Sequence, residues 1–232
     1  IVASVSCRPD RLKINVSSIK EEVTIIRFEN ELFSLGQNPD SLQIARLCNK
    51  FPVFSDLFFN ETLHIGTTSD SAGKRMIGEF MTDSVIQLSK KRVEQLFPEN
   101  GGFQKNLIKA FKHYRYYFPG KPLPVIYTCL SGFNESVFTS DGIIGVSLDK
   151  YLGATCEFYP LLGFTKYKQR KMIPEMVPSD VIHVWGMTQF PVSREATTIV
   201  DYMVHEGKLL CFCEALMPEM ADTLLTGFSA RQ

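Results

Sequence analysis

The chain has 232 residues, and its 25 basic and 25 acidic side chains cancel at neutral pH. That balance gives no overall electrostatic footprint for nucleic acid or for an anionic surface, and no apolar run is long enough to cross a bilayer as a helix. At this length a sizeable core can be buried, in one large domain or in a small one beside a larger one. Six cysteines, at 7, 48, 129, 156, 211 and 213, are too sparse for a disulfide scaffold. The short basic clusters Lys90-Lys91-Arg92 and Lys168 to Lys171 read as solvated faces.

Residues 1–10 stand apart. IVASVSC leads from small apolar residues into Cys7 and then polar Arg8-Pro9-Asp10. The stretch resembles the tail of a bacterial lipoprotein signal peptide, where the cysteine is lipidated and becomes the first mature residue, although Ser4 stands where a leucine is usual. On these residues alone it reads equally as an ordinary frayed terminus. Leu12 to Lys20 is extended in character, and Val23 to Phe28, VTIIRF, is a short strand rich in β-branched residues. After a Gly36/Pro39 break, Asp40 or Ser41 caps a helix through Asn49. The aromatic run FPVFSDLFF, Phe51 to Phe59, reads as a short helix packed into the core in preference to a stacking surface.

Ile65 to Gly78 turns loop-like, and its Gly73-Lys74 lacks the spacing of a phosphate loop. Phe80 to Leu96 reads as one helix, ended by Pro98 and Gly101-Gly102. Phe103 to Phe118 is a clearer helix: Phe103, Leu107, Ile108, Phe111 and Tyr114 form its apolar stripe, Lys105, Lys109 and Lys112 face away, and His113 is a partly exposed polar position. Pro124 to Leu130 and Gly142 to Leu148 are strands joined by a polar hairpin or loop. Phe164 to Gln189 is mostly helical with interruptions at Pro174 and Pro178, and Ser179 can cap a helix from Asp180.

The longest helical pattern is Thr197 to Leu216. Ile199, Val200, Met203, Gly207 and Leu210 recur at helical spacing, and Leu209, Cys211, Phe212 and Cys213 spread apolar surface to other faces, which predicts burial of the later turns. Cys211 and Cys213 lie about 200° apart on a helix, so they cannot clasp one ion and read as small buried hydrophobes. At the centre stands His205-Glu206, the first half of the zinc-protease motif H-E-x-x-H, in which two histidines one turn apart share a zinc and the glutamate is the general base. The second histidine is replaced by Leu209, and Cys213, the next residue on that face, is about 12 Å further along the axis. His64 and His183 are elsewhere in the sequence, with no spacing that recommends them.

Periodicity alone gives an α+β fold. A resemblance goes further. Tyr116-Tyr117-Phe118-Pro119, Ile126-Tyr127-Thr128 with Ser131-Gly132-Phe133-Asn134, Ile144-Gly145-Val146 with Leu148-Asp149-Lys150-Tyr151-Leu152-Gly153, Met172-Ile173-Pro174-Glu175 and Glu206-Gly207-Lys208 resemble the gliding-motility lipoprotein GldB family of Bacteroidota, from about Cys7 to Gln232. The resemblance implies a zincin-like mixed sheet packed on helices, including the one carrying His205-Glu206. It divides the chain into a signal remnant and tether (1–10) and one domain (11–232). It also implies lipidation at Cys7, localisation to the cell envelope, and unidentified envelope proteins as partners. Members run on past the region matched by Gly227 to Gln232, which is where a zincin's third ligand would come from.

For the motif itself, one reading makes His205 a satisfied core histidine and Glu206 a buried or cleft carboxylate paired with Lys208 or Arg115, with Gly207 at a close helix–sheet contact. His205 and Glu206 are then vestigial, no metal or cofactor is held, and the old cleft binds a peptide or an envelope partner. The chain is expected to be an accessory or assembly component of an envelope machine. The alternative is a zinc-dependent hydrolase with an atypical site.

Overall fold

The computed structural model describes residues 12–227. β1 (Thr24–Arg27) passes directly into α1 (Phe28–Phe33), and α2 (Ser41–Lys50) follows. Asp40 caps α2 reciprocally: its carboxylate accepts the Gln43 N–H at 2.8 Å, and the Gln43 side chain accepts the Asp40 N–H at 2.8 Å. α3 (Pro52–Asp56) runs into a π-helical turn (Leu57–Thr62), so the aromatic run is helical and buries Phe54, Phe58 and Phe59, as its composition suggests. Phe54 stacks on Tyr127 with centroids 4.2 Å apart, and Phe28 meets Phe54 edge-on at 4.9 Å.

Two expectations in the next stretch are corrected. The expected loop contains α4 (Ser71–Thr82), because Asp70 accepts the Gly73 N–H at 2.7 Å and caps a helix whose apolar positions are few. The expected single helix from Phe80 is broken at Asp83, which leaves the helical region and whose carboxylate accepts the Val85 and Ile86 N–H groups at the start of α5 (Ser84–Leu96). α6 (Gly102–Tyr117) matches its expected stripe. His113, however, is buried, and both ring nitrogens lack partners.

β2 (Val125–Cys129) and β4 (Ile143–Ser147) pair in parallel, and β1 pairs in parallel with the other side of β2. Between β2 and β4 lies a strand the sequence reading missed, β3 (Val137–Ser140), antiparallel to β4 at the edge. Asp141 (φ +42°) and Gly142 (φ +79°) make the tight β3–β4 turn, a conformation suited to an Asp-Gly pair. Gly145 stands opposite Phe138, whose ring occupies the space a Cβ would need. The sheet, in the order β1-β2-β4-β3, has apolar side chains on both faces. Tyr127, Cys129 and Ile143 belong to the core shared with α1–α4; Ile126, Ile144 and Val146 belong to a second core shared with α5 and α6.

After β4 come a 3-10 turn (Leu148–Tyr151), two short helices, α7 (Phe158–Leu161) and α8 (Lys166–Gln169), and a second 3-10 turn (Pro174–Met176) that feeds α9 (Val177–Gln189). Pro178 falls in the first turn of α9, where its missing N–H costs nothing, so it does not interrupt. Ser179 is inside the helix and does not cap it; its hydroxyl donates to the Met176 carbonyl at 3.0 Å. α10 (Ile199–Leu216) opens with a capping box between Thr198 and Asp201, and α11 (Asp222–Thr226) closes the described chain. α9 packs on β3 and β4, and α10 packs on α9 and α6. The strand at Gly142–Leu148 and the His205 helix are thus linked through α9. The result is an α+β fold with a mixed sheet between two helical layers.

Candidate functional site

Two blocks singled out in the sequence fold onto each other as a clamp. Asp149 is fully buried, and its Oδ2 accepts the N–H of Ser131 at 3.1 Å and of Phe133 at 2.8 Å. Lys150 Nζ donates to the Phe133 and Asn134 carbonyls, and Asn134 Nδ2 reaches across to the Thr62 carbonyl at 3.0 Å. The Tyr159 hydroxyl accepts the Leu152 N–H at 2.7 Å and donates to the Asp149 carbonyl. These bonds hold Gly132 (φ +71°) and Phe133 (φ +66°) in the left-handed region. Burial outweighs the two amide donors and pushes the Asp149 carboxyl up to about 6. These bonds are all within the chain, Asp149 Oδ1 is left buried without a partner among the described residues, and Ser131 to Asn134 line a smaller open groove of about 560 Å³.

Tyr117 and Phe118 of one further block and Lys208 of another border an open groove of about 1210 Å³, whereas Met172 to Glu175 do not line it. Tyr117 and Phe118, at the end of α6, form one side, and Phe190 to Ala196 form the rim. The inner turns of α10 contribute Val204, His205, Lys208 and Phe212. Phe190 sits 5.9 Å from the Phe118 ring and 5.5 Å from Phe212, so the wall is a continuous aromatic surface. A groove of this size exceeds the roughly 300–1,000 Å³ of small-molecule sites.

α9 and α10 approach closely because Gly186 faces Leu209 and Phe212; a Cβ there would lie 2.9 Å from the Phe212 ring. Gly207, expected at a close contact, meets nothing within 4 Å. The motif residues also differ from expectation. His205 is half-buried in the groove wall, and Glu206, one position on, points to α9, where its Oε2 lies 3.0 Å from His183 Nε2. Lys208 lines the groove, and Arg115 pairs with Glu21. Cys213 is buried as expected, whereas Cys211 is exposed at the groove. Ile199, Val200 and Met203 are 75%, 60% and 65% exposed, so the first turns of α10 present an apolar surface to solvent.

One turn before His183, Asp180 accepts the Tyr151 hydroxyl at 2.7 Å, and burial raises its carboxyl above the usual range. Among the described residues no group of three or more His, Cys, Asp or Glu side chains is arranged to hold a metal ion. His183 and Glu206 supply two donors, and Asp180 is engaged by Tyr151. Cys7 lies outside the described residues.

The class this defines is a helix-rich α+β domain with a two-helix cleft carrying a His–Glu pair and an aromatic groove beside it. The profile of the family described as gliding motility protein GldB matches residues 9–232, and the chain belongs to that family. The family's short name marks it as a lipoprotein family, and among the described residues no helix is long and apolar enough to cross a membrane. No curated protein and no solved structure matches the chain.

Proposed function

We propose that the chain is a non-catalytic cell-envelope lipoprotein, held at a membrane through acylated Cys7, that serves as an accessory or assembly component of an envelope machine by binding a polypeptide partner in the α6–α10 groove. The family match over residues 9–232 carries this reading. The groove supports it: much of its wall is aromatic and aliphatic, and Asp201, His205 and Lys208 are polar groups α10 adds for orienting an occupant.

The zincin-like part of the reading gains support at a different address. The helix against the β3–β4 edge is α9, so Ser179-Asp180-Val181-Ile182-His183 stands where H-E-x-x-H would, with Glu206 on the following helix in the place of a third ligand. In that frame serine replaces the first histidine, and its hydroxyl is taken by the Met176 carbonyl. The His183–Glu206 contact is also the observation favouring the alternative, an atypical zinc hydrolase. Metal content after dialysis and a peptide-cleavage assay on the full chain separate the two. The non-catalytic reading expects no stoichiometric zinc and no cleavage; zinc near one per chain, with cleavage lost in Glu206→Gln, overturns it. Fractionation tests the anchor: Cys7→Ser should leave the membrane fraction or remain unprocessed, and unchanged membrane association would end that part of the proposal.

A further inference from the structure

The overall charge balance conceals a local separation. Residues 158–174 contain Lys166, Lys168, Arg170 and Lys171 and no acidic residue. Several surface cations elsewhere are matched: Lys109 pairs with Glu219, Lys112 with Glu22, and Arg92 with Glu157. None of the four cations in this segment forms an ion pair among the described residues, and Glu157, beside the segment, is occupied by both Arg92 guanidinium nitrogens.

The same segment projects apolar side chains. Phe158 and Tyr159 are buried and fix α7 to the core, and Phe164, half-buried, packs under the Lys150 ammonium at 4.2 Å. Between these anchors the chain reverses at Gly163 (φ +76°). Leu161 and Leu162 are left 84% and 50% exposed, and Tyr167 is 51% exposed. A tight turn with its flanks pinned cannot fold its leucines inward. Exposed aliphatic residues beside an aromatic and unneutralised cations fit a lipid–water interface. The apolar surface at the start of α10 lacks this pairing, since Asp201 and Glu206 lie among its residues.

We infer that the α7–α8 segment is a membrane contact in its own right, with Leu161 and Leu162 entering the interface of an anionic bilayer and the exposed Lys166, Lys168 and Arg170 on the lipid phosphates, while Lys171 lies over the Tyr167 ring. A purely acidic protein surface would use the cations without the leucines.

The test uses the full chain with Cys7→Ser, which removes acylation as a competing anchor, sedimented with phosphatidylglycerol–phosphatidylcholine vesicles and with pure phosphatidylcholine vesicles. Binding is expected to the anionic vesicles only and should weaken with salt. Lys166→Ser with Lys168→Ser should reduce partitioning by roughly 25-fold, at about fivefold per charge. Leu161→Ser with Leu162→Ser should reduce it on the order of tenfold or more. Trp185 fluorescence, reporting from a buried site on α9, should be unchanged in all variants. No binding to the anionic vesicles, or binding untouched by both pairs, overturns the inference. Binding abolished by the lysine pair but indifferent to the leucine pair also overturns it, in favour of an acidic partner surface.

Discussion

Asp149 is the residue on which the Ser131–Asn134 loop hangs, and replacing it with alanine or asparagine separates what its hydrogen bonds contribute from what its charge costs. In Asp149→Ala, two buried N–H groups, of Ser131 and Phe133, lose their acceptor. At about 1–3 kcal/mol for each unsatisfied buried group, the loss should be roughly 2–6 kcal/mol. Asp149→Asn keeps an oxygen for both donors and removes the charge. Burial raises the carboxyl from its ordinary 3.8 to about 6, so ionising it in the fold costs about 3 kcal/mol more than in the unfolded chain. A pKa raised by folding means the native state holds the proton more tightly. The contribution is therefore full below pH 3.8 and is lost as pH rises through about 6. Urea denaturation followed by Trp185, the chain's single tryptophan, should show this slope between pH 4 and 7 in the parent and a flatter profile in Asp149→Asn. At pH 5 the alanine variant should be destabilised by at least about 2 kcal/mol. A smaller loss, or an unchanged pH slope in the asparagine variant, would refute the clamp.

Three further outcomes follow from the packing. Gly186→Ala places a methyl group 2.9 Å from the Phe212 ring and should destabilise the α9–α10 contact by about 1–3 kcal/mol, read as a lowered urea midpoint. Burial lowers the His113 pKa below 6.5, so its contribution is full above that value and is lost as pH falls below it, when the unfolded chain takes up the proton first; denaturation of His113→Phe should show less acid sensitivity between pH 6.5 and 5. Tyr151→Phe removes the hydroxyl that donates to Asp180 Oδ2 and should cost about 1–3 kcal/mol of stability in the same denaturation assay.

Much of the frame was legible from local chemistry. VTIIRF, PVIYTCL and GIIGVSL are strands because β-branched runs suit a sheet buried on both sides. Asp40 was recognisable as a cap because its carboxylate acts on the adjacent turn. α4 was hidden because Gly73 and Gly78 read as loop residues, although the Asp70 cap and the Gly73, Ile77, Met81 spacing mark a helix. β3, VFTS, is made of strand-favouring residues but is only four residues long, too short to stand out from the polar connection without its hairpin partner. At the site, the His205-Glu206 helix could be found, but Glu206's partner lies 23 residues away on another helix, and single-helix spacing cannot reach it. The spacing of Asp180 and His183, one turn apart on α9, was the available signal. Periodicity also identified Ile199, Val200 and Met203 as one face without saying what covers it, and within the described chain that face is open.

The central claim is that the groove binds a partner and that the His–Glu pair does no chemistry. Both halves meet in one measurement: colony spreading of a gliding bacterium whose own copy of this gene carries Val204→Asp or Glu206→Gln, with protein level and membrane fraction checked in each. Val204 lines the groove and is 52% exposed, so a carboxylate there spoils the apolar wall without entering the core. The amide introduced by Glu206→Gln keeps an oxygen for His183 Nε2 but cannot act as a base. The account expects spreading to be lost with Val204→Asp and retained with Glu206→Gln. Spreading retained with Val204→Asp and lost with Glu206→Gln would contradict it.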